Sequence, residues 1–262
     1  MLNPLITFTT DFGTSDNFAA TMKAVVLSIA PRARIVDITH EVTPFEVVEG
    51  AYTLAQAYRY FPAKTIHVVV VDPGVGSARR PILAEMAGQC FVAPDNGVLS
   101  MVFAREKAKV RHITNEKFML QPVSRTFHGR DVFSPVAAHL AMGVPPGKFG
   151  KLIEDHLRLS LNKPSRSGKR TWTGTILKVD RFGNLITSLH IDDFPQINVR
   201  PFDLSVGLEK INRLALTFTE CGPGEVFAIV GSSGYVEVAV NQGSAARALG
   251  CGAGSPVELA LY

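Results

Sequence analysis

The sequence predicts an α/β protein: an N-terminal three-layer domain with a mostly parallel sheet, followed by a smaller C-terminal β-barrel domain. Three observations carry this reading. Over residues 3–71, apolar runs of strand length alternate with helical periodicity in a β-α-β-α-β series, the signature of a parallel sheet covered by helices. Beyond residue 170, helical periodicity weakens and short strand-like pieces recur between Gly, Pro and Asn. Between the two regions, the run Asn-Lys-Pro-Ser-Arg-Ser-Gly-Lys-Arg over 162–170 is polar and lacks apolar period. It sets the expected boundaries: a domain over 1–162, a linker over 163–170 and a second domain over 171–262.

The elements follow in order. Residues 3–9 read as a strand, and Thr14 or Ser15 is placed to cap a helix with Phe18, Met22, Val25, Val26 and Ile29 on its inner face, stopped by Pro31. A short strand over 34–38 precedes Thr43-Pro44-Phe45-Glu46, a capping box with Pro at the first helical position, so a helix is expected over 44–60. The Val-rich run 66–71 reads as a buried parallel strand. Strands over 81–87 and 90–93 follow, then the turn Pro94-Asp95-Asn96-Gly97 opening a short helix, and a helix over 128–140 starting near Gly129. The second domain offers strands at 173–179, 184–190, 212–218, 225–230, 234–240 and 256–261.

Composition excludes several classes. The chain has 262 residues and 46% hydrophobic content, enough for a full core, and a net charge of +4 with no long basic run, so nucleic acid is not an expected partner. No stretch is long and apolar enough to span a membrane, and Met1-Leu2-Asn3-Pro4-Leu5 lacks the basic and apolar regions of a signal peptide. Cys90, Cys221 and Cys251 are widely spaced without a Cys-x-x-Cys pair, which points away from zinc and from a disulfide framework and toward a reducing, cytoplasmic setting.

Chemistry-bearing residues gather after the strands, where open α/β sheets bind their ligands. Asp72-Pro73-Gly74-Val75-Gly76-Ser77-Ala78, closed by Arg79-Arg80, follows the 66–71 strand, and Thr9-Thr10-Asp11-Phe12-Gly13-Thr14-Ser15-Asp16 follows the first. Asp11 suits a ribose diol, since a carboxylate accepts from two neighbouring hydroxyls, or it caps the next helix; Asp16 reads as first-turn helix charge. Asp72 could orient or deprotonate a water, while Arg79, always cationic, can only hold a carboxylate or stabilise charge. The structural alternative is a salt bridge clamping the turn. His128, in Thr126-Phe127-His128-Gly129-Arg130-Asp131, stands at a loop-to-helix junction where an imidazole can serve a catalytic partner.

In the second domain, Asp180-Arg181-Phe182-Gly183-Asn184 sets an acid, an aromatic and an amide around one turn, fit either to hold a zwitterion or to close a hairpin. Gly231-Ser232-Ser233-Gly234-Tyr235 offers backbone N–H groups to a carboxylate and a ring for stacking, and Asn241-Gln242-Gly243-Ser244 could read a purine edge; taken alone, each reads better as an ordinary loop between strands.

Together, Thr10-Asp11-Phe12-Gly13, Val71-Asp72-Pro73-Gly74-Val75-Gly76 with Arg79-Arg80, Phe127-His128-Gly129-Arg130-Asp131 and Phe182-Gly183-Asn184-Leu185-Ile186-Thr187 closely resemble one family over nearly the whole chain. It is that of the adenosine-forming S-adenosyl-L-methionine (SAM) hydrolases, also called SAM hydroxide adenosyltransferases, which are related to the SAM-dependent fluorinase and chlorinase. The resemblance implies a homotrimer with sites between one subunit's N-domain and its neighbour's C-domain. It implies a catalytic set at Asp72, Arg79 and His128, with Asp11 on the ribose diol, Asp180 and Asn184 at the methionine end, Ser232 and Ser233 near the methionine carboxylate, and Asn241 near adenine. With Phe45, Phe182 and Tyr235 these complete the expected substrate-binding set. SAM is then the substrate, and neither a cofactor nor a metal is expected. The halogenating relatives carry an arginine where this chain has Ser233, and an uncharged residue where it has Asp72, so water rather than halide is the expected nucleophile. Two other classes fit the residues: a metal-dependent nucleotide phosphatase using Asp11, Asp16 and Asn96, and a non-catalytic sensor of adenosyl ligands.

Overall fold

The computed structural model describes residues 4–159 and 163–262; Asn3 of the first expected strand, and Asn162 at the edge of the expected linker, lie outside the described residues. The chain divides into two compact units, Met1–Leu159 and Ser160–Tyr262.

The first unit is built on a seven-stranded sheet of order β2-β1-β3-β5-β4-β6-β7. Strands β1 (Leu5–Thr10), β2 (Arg34–Thr39), β3 (Ile66–Val70) and β5 (Gln89–Pro94) run parallel. Strand β4 (Pro81–Met86) is reversed beside β5, β6 (Lys109–His112) returns to the common direction, and β7 (Leu152–Ile153) is reversed at the edge. All five residues of β3 are buried, as a central strand covered on both faces requires. One face packs under helices α1 (Phe18–Ile29) and α4 (Ser134–Ala141), where Met22, Val26, Val136 and Ala137 meet Ile6, Phe8, Val68 and Val70. The other lies under α2 (Val47–Ala57) and the short α3 (Ser100–Phe103); there Gly50 sits so close to Val71 that a Cβ would come within 2.9 Å of it.

Beneath α2 runs a buried polar ladder. Gln89 donates its amide to the carbonyls of Tyr58 and Phe61, which leaves its oxygen facing His67 Nε2 at 3.3 Å, while Thr7 Oγ1 lies 2.7 Å from His67 Nδ1. Satisfying both ring nitrogens with neutral partners keeps the imidazole uncharged, and burial lowers its pKa to about 4.

Several expected boundaries shift for identifiable reasons. Helix α1 starts after Asn17, with no side-chain cap from Thr14 or Ser15, and Phe18 leaves the inner face to pack its ring against Phe12 and Phe127. The capping box at Thr43 does not form. Thr43–Glu46 is a turn instead, closed by Glu46 N–H to the Thr43 carbonyl, and α2 begins at Val47. The helix expected over 128–140 opens as a π-helix, Gly129–Phe133, before α4.

The second unit is a nine-stranded sheet of order β12-β11-β16-β9-β10-β15-β14-β13, with β8 (Ser165–Arg166) beside β9 (Thr171–Val179). Strands β10 (Leu185–His190), β14 (Val226–Val230), β15 (Tyr235–Val240) and β16 (Pro256–Leu261) match expectation closely. Strands β11 (Phe202–Val206) and β12 (Glu209–Ile211) and helix α5 (Ala245–Leu249) were not anticipated, and only Leu214–Ala215 of the 212–218 piece is strand, β13. The sheet curls around Ile176, Leu185, Leu204, Val236, Val238 and Leu259 as a half-barrel rather than a closed barrel. Among the described residues, no helix is long and apolar enough to cross a membrane.

Candidate active site

Strands β1 and β3 are neighbours with Thr10 opposite Val70, so the loops bearing Asp11 and Asp72 open at one carboxyl edge of the sheet. The Asp72 loop turns tightly, with Ser77 Oγ donating to the Gly74 carbonyl at 2.6 Å. Gly76 has φ +75°, and a Cβ there would lie 2.1 Å from the Arg125 carbonyl oxygen. Only glycine allows this approach. It brings the 72–80 loop against the segment that delivers His128.

Asp72 and Arg79 have side chains only 4% and 8% exposed. Arg79 Nε donates to Asp72 Oδ1 at 3.0 Å and Nη2 to Oδ2, a two-point clamp on the carboxylate. The same Nη2 lies 2.8 Å from His128 Nδ1. A guanidinium has no acceptor, so Nδ1 accepts and the neutral ring carries its proton on Nε2. Burial, and then the charge of Arg79, hold the His128 pKa below its ordinary value against the opposing pull of Asp72 and Asp131. Arg79 also stacks 5.3 Å over the Phe133 ring, and its buried Nη1 has no hydrogen-bond partner among the described residues. A donor left over in a buried, charged site is a place for a ligand oxygen.

The π-helix sets His128 at its N-terminal edge, a local widening common at functional sites. Asp131, 2% exposed, fixes the loop before it by accepting from Ser124 N–H at 2.8 Å while paired with Arg130.

Asp11 Oδ2 accepts from Phe45 N–H at 2.8 Å. Burial raises the Asp11 pKa; bonds from Phe45 and from its own amide oppose that, and the charge of Asp72 adds to it. Phe45 pays for this contact with φ +71°, in the left-handed region, while its ring is 70% exposed. A strained backbone that presents an exposed aromatic ring beside an acid makes this loop a candidate binding loop. Phe12, which follows Asp11, forms an aromatic cluster with Phe18 and Phe127 in which Phe127 stands edge-on to both.

In the second unit, Asp180, Phe182, Asn184, Ser232 and Asn241 line one cavity of about 790 Å³. Asp180 is heavily committed within its own turn: Oδ1 accepts from the backbone N–H of Phe182 and Asn184 at 2.8 and 2.9 Å, and Oδ2 from Asn184 Nδ2 at 2.9 Å. The Asn241 amide donates to the Cys221 carbonyl at 2.6 Å. Tyr235 packs edge-on against His190, and neither it nor Ser233 lines the cavity, although Ser233 lies within the Gly231–Gly234 turn whose Gly231 and Ser232 do. Glu237 and Arg247 also line the cavity and were not singled out from sequence. Glu237 reads there as one outward residue of an alternating strand, and Arg247 belongs to an unanticipated helix.

Comparison with known proteins decides the family. Residues 6–150 match the SAM hydroxide adenosyltransferase N-terminal domain, and residues 174–258 match the corresponding C-terminal domain. The chain belongs to the SAM hydroxide adenosyltransferase family. It is 40% identical to the (R)-S-adenosyl-L-methionine hydrolase of Salinispora tropica, with 94% of each chain covered, and 35% identical to the protein of that name from Thermus thermophilus, covering 96% of this chain and 98% of that one. A fluorinase from an Actinoplanes species is 29% identical over 91% of both chains. Among solved structures, an uncharacterized conserved protein from Thermotoga maritima superposes with a TM-score of 0.90 at 37% identity, covering 97% of this chain and 99% of that one.

The phosphatase alternative finds no support in the site. It requires Asp11, Asp16 and Asn96 to converge, yet Asn96 donates Nδ2 to the Val71 carbonyl and accepts at Oδ1 from Val98 N–H, so its side chain belongs to its own turn. Among the described residues, no three His, Cys, Asp or Glu side chains are grouped to hold a metal.

Proposed function

We propose that this protein hydrolyses the (R)-sulfonium epimer of SAM to adenosine and L-methionine. The observation that carries the reading is the arrangement of the buried Asp72 and Arg79 side chains with the half-buried His128 at the carboxyl edge of the sheet, in a chain whose relatives bear that hydrolase name.

Water attacks the ribose 5′-carbon opposite the sulfonium. The C5′–O bond forms as the C5′–S bond breaks, the electron pair leaves on sulfur as a neutral thioether, and the water's surplus proton is lost. An uncharged leaving group needs no general acid, so catalysis falls on aligning and deprotonating the nucleophile. Asp72 is the proton acceptor, oriented by the two-point grip of Arg79. His128 accepts from Arg79 at Nδ1 and so presents an Nε2–H donor. Asp11 takes the ribose diol beside Phe45, and the cavity lined by Asp180, Asn184 and Ser232 takes the methionine end. A carboxylate at the nucleophile site repels halide, which favours water over the reaction named for the fluorinase relatives.

The resemblance supports a homotrimer with sites shared between subunits, and the free cysteines Cys90, Cys221 and Cys251 support a reducing cytoplasmic setting. The test is chromatography of the purified protein with a mixture of sulfonium epimers, in metal chelator, with and without chloride. Loss of the (R) epimer with equal gain of adenosine and methionine is expected; a 5′-chlorinated nucleoside, or no turnover, overturns the reading.

A further inference from the structure

The loop that carries Asp11 is tied to the loop that carries Phe45 through a buried histidine that the proposed reaction does not use. His40 directly follows β2 and is 5% exposed. Its backbone carbonyl accepts from Gly13 N–H at 2.7 Å, and Val42 N–H donates to the Thr10 carbonyl at 3.2 Å, so the two loops are paired on either side of Asp11. The side chains add a further tie. His40 Nδ1 lies 2.8 Å from Oγ1 of the buried Thr10, and the same oxygen accepts from Phe12 N–H at 3.3 Å. The Thr10 hydroxyl therefore spans Asp11, bonded to the residue after it and to a ring from the neighbouring loop.

The surroundings of the ring set its tautomer. Nε2 lies 3.1 Å from Asp37 Oδ1; the contact is too bent for an in-line hydrogen bond, but a carboxylate oxygen favours the proton-bearing nitrogen on its side. In the neutral ring Nδ1 is then the acceptor, and the Thr10 hydroxyl, which already accepts from Phe12, gives it its one proton. Asp37 is held in turn by Lys23 of α1. Lys23, Asp37, His40 and Thr10 thus run in one line from the protein surface to the backbone beside Asp11.

We infer that His40, acting through Thr10, is a positioning residue for recognition of the ribose diol, and so sets the preference of the site for a ribonucleoside over a deoxyribonucleoside. The inference deepens the hydrolase reading and rests on its assignment of Asp11 to the diol. A carboxylate that accepts from two adjacent hydroxyls tolerates little rotation, so the elements that aim it matter as much as its charge. Phe45 N–H grips the carboxylate itself at Oδ2, from a backbone in the left-handed region. The Thr10–His40 bond secures the other end, the chain from which the carboxylate projects.

The test is calorimetric binding of adenosine, 2′-deoxyadenosine and 3′-deoxyadenosine to the full chain. The wild type should prefer adenosine to each deoxynucleoside by about 10- to 100-fold, the range of one hydrogen bond to a charged group, and D11A should lose that preference. His40→Phe keeps a ring of similar size without either nitrogen, and Thr10→Val is isosteric without the hydroxyl. Each should cut the preference by about 2- to 10-fold, the range of one neutral hydrogen bond, and raise KM for SAM more than it lowers kcat. Because both remove the same contact, the double variant should lose no more than either single one. His40→Asn leaves an acceptor near the position of Nδ1 and should keep most of the preference. General damage to the fold weakens all three nucleosides together and leaves their ratios unchanged.

A wild-type preference in His40→Phe, additive losses in the double variant, or a loss in His40→Asn equal to that in His40→Phe overturns the inference while Asp11 keeps its role. A preference that survives in D11A, or a wild type that does not discriminate, overturns the assignment of Asp11 and this inference with it. The readout needs no turnover, so failure to hydrolyse SAM is a separate result.

Discussion

Arg79 places one nitrogen, Nη2, between the Asp72 carboxylate and Nδ1 of His128, 2.8 Å from the latter. One cation thus fixes the orientation of an acid and the tautomer of an imidazole. Arg79→Lys keeps the charge but loses the planar fork, so it cannot grip Asp72 at two points and reach His128 at the same time. We expect kcat to fall by about 10²-fold or more with little change in adenosine affinity, and the His128 ring to lose its single tautomer in nitrogen NMR.

Asp72→Asn removes the proposed proton acceptor while keeping shape and volume. Loss of general-base catalysis is worth about 10²–10⁴-fold, and that range is the expected fall in kcat. Adenosine should still bind, as read by calorimetry. Turnover at the wild-type rate would show that Asp72 is structural.

The pH dependence follows from His128, whose pKa lies below its ordinary value of 6.5. A neutral ring accepts from Arg79, and a protonated one offers only donors to a cation. Activity should therefore be insensitive to this group above pH 6.5 and fall on the acid side, once pH drops through the lowered pKa. His128→Asn should move that acid limb. A kcat profile that instead rose on acidification would contradict the neutral ring.

Phe45 offers a test of where strain serves binding. Phe45→Gly relieves a left-handed backbone worth about 1–2 kcal/mol, against about 0.5–1 kcal/mol for the added freedom of glycine in the unfolded chain. Stability by urea unfolding should stay within about 1 kcal/mol of the wild type, while adenosine affinity weakens. Asp11→Asn, which removes a charged acceptor, should raise KM by about 10- to 100-fold.

His67 makes a prediction about stability alone. Its folded pKa of about 4 lies below the unfolded value of 6.5, so the unfolded chain takes up a proton first as pH falls. Its contribution is intact above pH 6.5 and lost as pH drops through about 4, about 3 kcal/mol in all. Urea unfolding at pH 7 and 4.5 measures it, and His67→Gln should flatten the difference.

What the sequence made legible follows from how local each signal is. The run Ile66-His67-Val68-Val69-Val70 announces a central strand because all five residues are buried, and Asp72 and Arg79 stand out because they follow it directly. The capping box at Thr43 misled because a contact 34 residues away, from Phe45 N–H to Asp11, outcompetes the local cap. Strand β6, Lys109-Val110-Arg111-His112, hides because three of its four residues are polar and only Val110 is buried. Glu237 is invisible for the opposite reason: Tyr235-Val236-Glu237-Val238 is an ordinary alternating strand, and only the curl of the sheet turns its outward residue into a cavity wall.

The most direct test of the central claim is to supply (R)-epimer SAM in ¹⁸O-water with chelator present and weigh the products. The account predicts adenosine carrying one ¹⁸O at the 5′ position together with unlabelled methionine. Adenosine without the label, or a 5′-halogenated nucleoside in its place, would contradict it.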